Sequence, residues 1–325
     1  MSPDTHPETL IKAQHLSRYY GPNIAVNNIQ FELSRGEVVG FLGPNGAGKS
    51  TSMQMITGNL APTTGSVEIC GIDLLDKPKQ AKAHIGYLPE QPPVYKELTV
   101  NEYLKFCARI NRMEKVNVAA AVDKAKQRCG LSKVSHRLIG NLSKGYQQRV
   151  GIAQAIIHSP AIIVLDEPTV GLDPIQIREI RTLIRELGEE HGVILSTHIL
   201  PEVQMTCDRV QIIRSGELVY QDTMENLSQQ FQGSCAVVGL ATEIEQDKIS
   251  GLPHVASVEK LAAKRWRLLF NDGSEPVQQV AQQIVENGWG LTELIPEQKS
   301  LEDIFVDITT SEDDQHEEQV EDDAA

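Results

Sequence analysis

Residues Gly43-Pro44-Asn45-Gly46-Ala47-Gly48-Lys49-Ser50-Thr51 match the spacing G-x-x-x-x-G-K-S/T, a combination of glycines, one lysine and two hydroxyls that suits phosphate. Glycines at 43, 46 and 48 admit backbone conformations that a Cβ obstructs, so that successive N–H groups converge on a phosphate at a helix N-terminus. Lys49 adds a mobile positive charge for the β- and γ-phosphates, and the Ser50 hydroxyl can ligate Mg²⁺. Far along the chain, Asp166-Glu167 follows the apolar run 161–165. Two carboxylates at the tip of a buried strand are costly unless something uses them. Asp166 is expected to hold Mg²⁺ or its waters, and Glu167 to polarise the water that attacks a γ-phosphate. The alternative is a strand ending in a solvated acidic turn, which loses force beside the glycine loop. A third apolar run, 192–195, passes through Ser196 and Thr197 into His198, whose imidazole can hydrogen-bond a γ-phosphate and sense its loss. The other eight histidines are expected to have no catalytic part.

These residues need a scaffold that brings strand ends together. The run 37–42 reads as a buried strand, and 50–60 as the helix that follows the glycine loop. With the runs at 161 and 192 and helices between, the order predicts a parallel α/β sheet. Residues 10–33 and 66–70 read as β-structure beside it, and 98–158 as a helical subdomain with Ala- and Lys-rich periodicity at 119–128. Residues 1–225 are thus expected to form one nucleotide-binding domain. Beyond it, 226–310 reads as a small α+β domain of β-α-β-β-α-β plan, ferredoxin-like. Its strands are placed at 235–240, 255–261, 265–270 and 290–295, and its helices at 243–249 and 276–287, with a last helix at 301–308.

The chain has 325 residues and 40% hydrophobic residues, enough for a main core and an appendage. No stretch approaches the roughly 18–20 apolar residues of a membrane span, and the first ten residues lack the apolar core of a secretory signal. Cys70, Cys107, Cys129, Cys207 and Cys235 are dispersed with no C-x-x-C pair, which predicts reduced thiols in cytoplasm. A net charge of −14 argues against nucleic acid as partner. Eight acidic residues lie within 311–325, a segment without Lys or Arg that is expected to be a disordered tail.

Together with the segment Leu142-Ser143-Lys144-Gly145-Tyr146, these motifs resemble the ATP-binding cassette (ABC) ATPases over roughly residues 10–223, in order and approximate spacing. The resemblance implies a P-loop NTPase fold of the ABC type, with a RecA-like parallel core, an antiparallel β subdomain and a helical subdomain. It implies ATP and Mg²⁺ as ligands, Glu167 as catalytic carboxylate and His198 as switch histidine. By the same resemblance, residues 142–146 are the signature segment. Ser143, Gly145 and the helix N-terminus after them would bind the γ-phosphate of an ATP held by the opposite subunit's glycine loop. Asp173, in Gly171-Leu172-Asp173-Pro174, would bridge the two subunits. Tyr20 would stack on adenine, with Tyr19 as the fallback and burial in the core as the alternative. Lys144 and Tyr146 depart from the commonest signature, which has glycine and glutamine there; the lysine brings a charge suited to phosphate. The Mg²⁺-sensing glutamine position falls on Glu90, with Gln91 one residue later, and either can take the role.

The segments IGYLPEQPPVY, LSKGYQQRVGIAQA, LDEPTVGLDP and STHILPEV are most similar to the type 2 exporter branch, including its gliding-motility-like members. That implies the ATPase subunit of an exporter: a homodimer that closes on two ATP and reopens on hydrolysis, driving an integral membrane permease from the cytoplasmic face. The permease would dock in a groove around residues 90–97, which Pro89, Pro92 and Pro93 keep non-helical. A soluble ABC-type ATPase of translation or DNA repair is the alternative; such chains usually carry two cassettes or a long coiled-coil insertion, and neither is present. A GTPase is disfavoured by the lack of an N-K-x-D motif.

Overall fold

The chain builds a long hairpin, β1 (Thr9–Tyr20) and β2 (Asn23–Ser34), in which Ile29, Phe31 and Leu33 alternate inward along β2, closed by a turn in which Gly21 has φ +60°. The computed structural model describes residues 8–230, 235–270 and 277–297. After the hairpin come β3 (Val38–Leu42), α1 (Lys49–Ile56), β4 (Thr64–Ile69), β5 (Ile72–Asp73), α2 (Pro78–Lys82) and β6 (Ile85–Leu88). Three longer helices follow, α3 (Val100–Ile110), α4 (Lys115–Arg128) and α5 (Lys144–Ile156). The chain then alternates β7 (Ile162–Asp166), α6 (Pro174–Gly188), β8 (Gly192–Thr197), α7 (Leu200–Thr206), β9 (Arg209–Arg214) and β10 (Glu217–Thr223).

The main sheet has the order β10-β9-β3-β8-β7-β6. Its pairs are parallel except the β9–β10 hairpin at one edge. β3, β7 and β8 are buried at every position, as strands covered on both faces must be, and hence read as unbroken apolar runs. A second sheet, β2-β1-β4-β5, is antiparallel and shares a core with the first. Phe31 of β2 meets Phe41 of β3 edge-to-face, ring centroids 5.0 Å apart, and Met53 and Ile56 of α1 fill the same core.

Helix boundaries follow local chemistry. α1 stops at Ile56, four residues before the sequence-based end. The Thr57 hydroxyl donates to the Met53 carbonyl at 2.8 Å, and Gly58 turns left-handed with φ +68°. α3 opens with a capping box: the Thr99 hydroxyl accepts from the Glu102 N–H, and the Glu102 carboxylate accepts from the Thr99 N–H at 2.9 Å. α6 buries Ile180, Leu183, Ile184 and Leu187, a stripe at helical spacing.

The chain divides into two units, residues 1–224 and 225–325. The second contains α8 (Met224–Gln230), which starts at the boundary, then β11 (Cys235–Leu240), α9 (Gln246–Ser250), β12 (Val255–Ala262), β13 (Arg265–Phe270), α10 (Val277–Glu286) and β14 (Leu291–Glu297). Its strands form one antiparallel sheet in the order β12-β13-β11-β14. Ala236, Val238, Trp266 and Leu268 pack there with Ile249 of α9 and Val280 and Ile284 of α10. The helix expected at 301–308 and the tail at 311–325 lie outside the described residues.

Candidate functional site

Parallel strands deliver their carboxyl ends to one rim of the sheet, where ligands of such folds bind. Here β3, β7 and β8 end in the glycine loop, in Asp166-Glu167 and in Thr197-His198. The three meet at a cleft of about 450 Å³ lined by Asn45, Gly46, Gly48, Lys49, Ser50 and Thr51 of the loop and α1, by Glu167 and Val170, by His198, and by Glu90 and Ala25. Gly43, Pro44 and Ala47 form the back of the loop. A Cβ on Gly43 would strike the Ile213 carbonyl, and the Ala47 carbonyl accepts from the Gly216 N–H at 2.9 Å. Gly48 caps α1 with φ +104°, and a Cβ there would strike the Ala25 carbonyl. The loop therefore packs closely against Ala25 of β2 and against Ile213 and Gly216 of the β9–β10 hairpin.

Lys49 is buried, its ammonium donating to the Gly43 carbonyl at 2.8 Å and the Pro44 carbonyl at 3.1 Å and lying 3.6 Å from Glu167 Oε1. Glu167 is also buried, with φ +48°, a left-handed conformation uncommon for a residue with a side chain. Its N–H is held by the Ser196 carbonyl at 2.9 Å, and its Oε2 lies 3.0 Å from His198 Nδ1. Lysine, carboxylate and imidazole thus satisfy one another. Asp166 is 2% exposed, its Oδ1 has no hydrogen-bond partner among the described residues, and burial raises its pKa, partly offset by the nearby Ser196 and Ser50 hydroxyls. The same burial, aided by the Asp166 charge, pushes the Tyr87 hydroxyl up to about 12. A buried carboxylate oxygen without a donor, beside a serine hydroxyl that lines the cleft, fits a hard cation such as Mg²⁺ with its waters.

Glu90, rather than Gln91, is among the residues lining this cleft. Tyr20 is 49% exposed, which overturns the core alternative; the Arg18 guanidinium lies 4.7 Å from its ring centroid, and Tyr19 beside it is also exposed. Ser143 and Gly145 are not brought to the glycine loop. They line a second cleft of about 450 Å³ together with Tyr146, Arg149, Lys133 and Gln176. Ser143 is the N-cap of α5 and accepts from the Tyr146 N–H at 3.5 Å. Lys144 lies with its ammonium against Gly171. Asp173 caps α6 of its own chain, Oδ1 accepting from the N–H groups of Ile175 at 3.0 Å and Gln176 at 2.9 Å. Two other histidines are structural: His191 contacts the Pro160 carbonyl at 2.7 Å and His158 the Ile85 carbonyl at 3.2 Å, and burial lowers the pKa of both.

Ala25 and Val170 were not singled out from the sequence. Ala25 contributes backbone, which no side-chain pattern announces; Val170 sits between Glu167 and Asp173, and that position was the available signal.

Residues 26–170 match the family model described as ABC transporter. The ABC transporter ATP-binding protein YxlF of Bacillus subtilis (strain 168) is 30% identical over 308 residues, covering 92% of this chain and 99% of its own length. The chain belongs to the ABC transporter ATP-binding family. The bacitracin transport ATP-binding protein BcrA of Bacillus licheniformis is 38% identical to this cassette over 67% of the chain and 71% of the relative. Among solved structures, the dimeric bacterial ABC transporter cassette MJ0796 superposes with a TM-score of 0.61 at 26% identity, covering 66% of this chain and 99% of that one. Membership implies ATP binding and ATPase activity, and the ABC fold is that of a P-loop NTPase. Among the described residues, no helix of the cassette is long and apolar enough to cross a membrane.

Proposed function

We propose that this cassette acts as a head-to-tail homodimer on the cytoplasmic face of a membrane, closing on two MgATP and reopening after hydrolysis to drive a separate permease in the direction of export. The observation that carries the reading is the division of phosphate-handling groups between two clefts of one chain: Lys49, Glu167 and His198 in the first, Ser143 and Gly145 in the second. A second copy, presenting its α5 N-terminus to the first cleft, supplies the missing half of each site.

ATP binding recruits groups that are already mutually engaged. The γ-phosphate competes with the Gly43 and Pro44 carbonyls for Lys49, and with Glu167 for His198. As those two partners turn to phosphate, the Glu167 carboxylate is released to accept a proton from the attacking water. Ser50 and Asp166 would hold Mg²⁺, with Glu90 at the same cleft, and the ion would supply charge stabilisation on the phosphates. Tyr20 offers an exposed ring for adenine and Asp173 an acidic loop for the facing subunit.

For the permease, Tyr95 supports a surface aromatic group, its ring 6.0 Å from Tyr103 and 5.4 Å from Phe106, next to the non-helical segment with Pro92 and Pro93. Such a cluster fits a short helix from a membrane partner. Export is supported by the likeness of the signature and switch segments to the exporter branch.

Glu167→Gln tests this. The tagged variant is expected to bind MgATP, to lose turnover by at least about 100-fold, to run as a dimer in light scattering, and to carry a multi-span membrane protein out of native membranes at near-stoichiometric ratio. A monomer at saturating MgATP would count against the dimer, and recovery without any membrane protein against the permease.

A further inference from the structure

Helices α6 and α7 pack side by side, and each begins a few residues after one that lines the first cleft, Val170 before α6 and His198 before α7. Asp173 caps α6, and α7 starts two residues after His198. Arg185 of α6 ties them by donating to the Met205 carbonyl at 2.9 Å. Beneath that tie lies a mismatched set of polar groups. Glu202 of α7 is 1% exposed; its Oε2 accepts from the Thr197 hydroxyl at 3.0 Å, while Oε1 has no hydrogen-bond partner among the described residues. Arg181 of α6 holds Nη2 at 3.9 Å from that oxygen, donates Nη1 to the Met205 sulfur at 3.0 Å, and leaves Nε buried without a partner among the described residues.

This is a poor arrangement for strong groups. A thioether is a weak acceptor, and a buried carboxylate oxygen with no donor carries the full cost of its lost water. An arginine–carboxylate bond closes to about 2.7–2.9 Å, so a displacement of about 1 Å exchanges the weak bond for a charge-assisted one. Packed helices slide by such amounts between functional states. Glu202 is moreover connected to the switch: the Thr197 hydroxyl that donates to it also accepts from the Ile199 N–H at 3.1 Å, so the carboxylate holds one neighbour of His198 directly and the other through that hydroxyl.

We propose that Arg181 and Glu202 are positioning residues that form a latch, open in this conformation and closed when His198 leaves Glu167 for the γ-phosphate. The closed latch sets His198 and the Asp173 loop together, so that the switch and the subunit-bridging loop reach their hydrolytic positions in one motion. Neither residue touches nucleotide. The proposal rests on the role given to His198 above.

The test is steady-state MgATP hydrolysis by the purified full-length chain, with kcat and KM read separately. Arg181→Ala and Glu202→Gln are each expected to lower kcat about tenfold with KM within about twofold, and the double variant is expected to be no worse than the worse single. Arg181→Lys is expected to recover part of the loss. Losses that multiply in the double variant, a KM that rises in step, or wild-type kcat throughout would overturn the latch. If the core substitutions do not fold, Met205→Leu decides: it removes the competing sulfur at nearly constant volume from a residue that is 62% exposed. It is expected to raise kcat alone and to have no effect beside Arg181→Lys; equal effects in both backgrounds, or none in either, would overturn the proposal. Glu167→Gln in the same assay separates the two readings. If that variant hydrolyses ATP at the wild-type rate, the site itself has been misread; if it is inactive while the latch variants retain wild-type kcat, only the latch fails.

Discussion

Asp166 and Glu167 are neighbours that meet burial in different ways. Glu167 is engaged by Lys49 and His198, whereas Asp166 keeps an oxygen with no hydrogen-bond partner among the described residues and a raised pKa. An acid with a raised folded pKa stabilises the fold through its protonated form; that contribution is complete at low pH and is lost as pH rises through the folded value. At neutral pH the ionised carboxylate is therefore a cost until a cation arrives. Asp166→Asn is expected to raise the melting temperature of the nucleotide-free protein by about 2–4 °C at neutral pH, with the difference shrinking toward acid pH. It is also expected to abolish the extra stabilisation by MgATP over ATP alone; a thermal scan across pH with and without Mg²⁺ reads both.

Between elements, the Lys144 ammonium at the start of α5 lies against Gly171 before α6. Gly171 has φ +71°, so alanine there incurs left-handed strain of about 1–2 kcal/mol, and its methyl must also displace the lysine. Gly171→Ala is expected to lower stability in urea by about 2 kcal/mol, and adding Lys144→Gly is expected to return part of it; no recovery would mean that strain alone acts. The elements themselves were legible where burial makes a simple pattern, as in β3, β7 and β8. What was not legible depended on distant neighbours. Lys144 and the glycine it touches are 27 positions apart, and the choice between Glu90 and Gln91 depends on where β6 ends relative to the glycine loop. The burial of Glu202 follows from the packing of α6 on α7, which no local spacing reveals.

At the scale of the whole molecule, the β-α-β-β-α-β order of the second unit could be read from alternating periodicities, while its spatial order, with β11 between β13 and β14, depends on pairings between strands far apart in sequence. In the first unit, the meeting of Lys49, Glu167 and His198 at one cleft was legible because all three follow the carboxyl ends of parallel strands. On the dimer proposed above, Ser143 and Gly145 join that cleft from a second chain. The separation of the two clefts carries a genetic consequence. A Lys49→Ala chain spoils its own first cleft but still offers an intact second one, and a Ser143→Arg chain does the reverse. Each allele alone is expected to be null. Expressed together, they can pair so that one site of the two is built wholly from undamaged halves, and partial activity is expected to return in the mixed population but not in either strain alone.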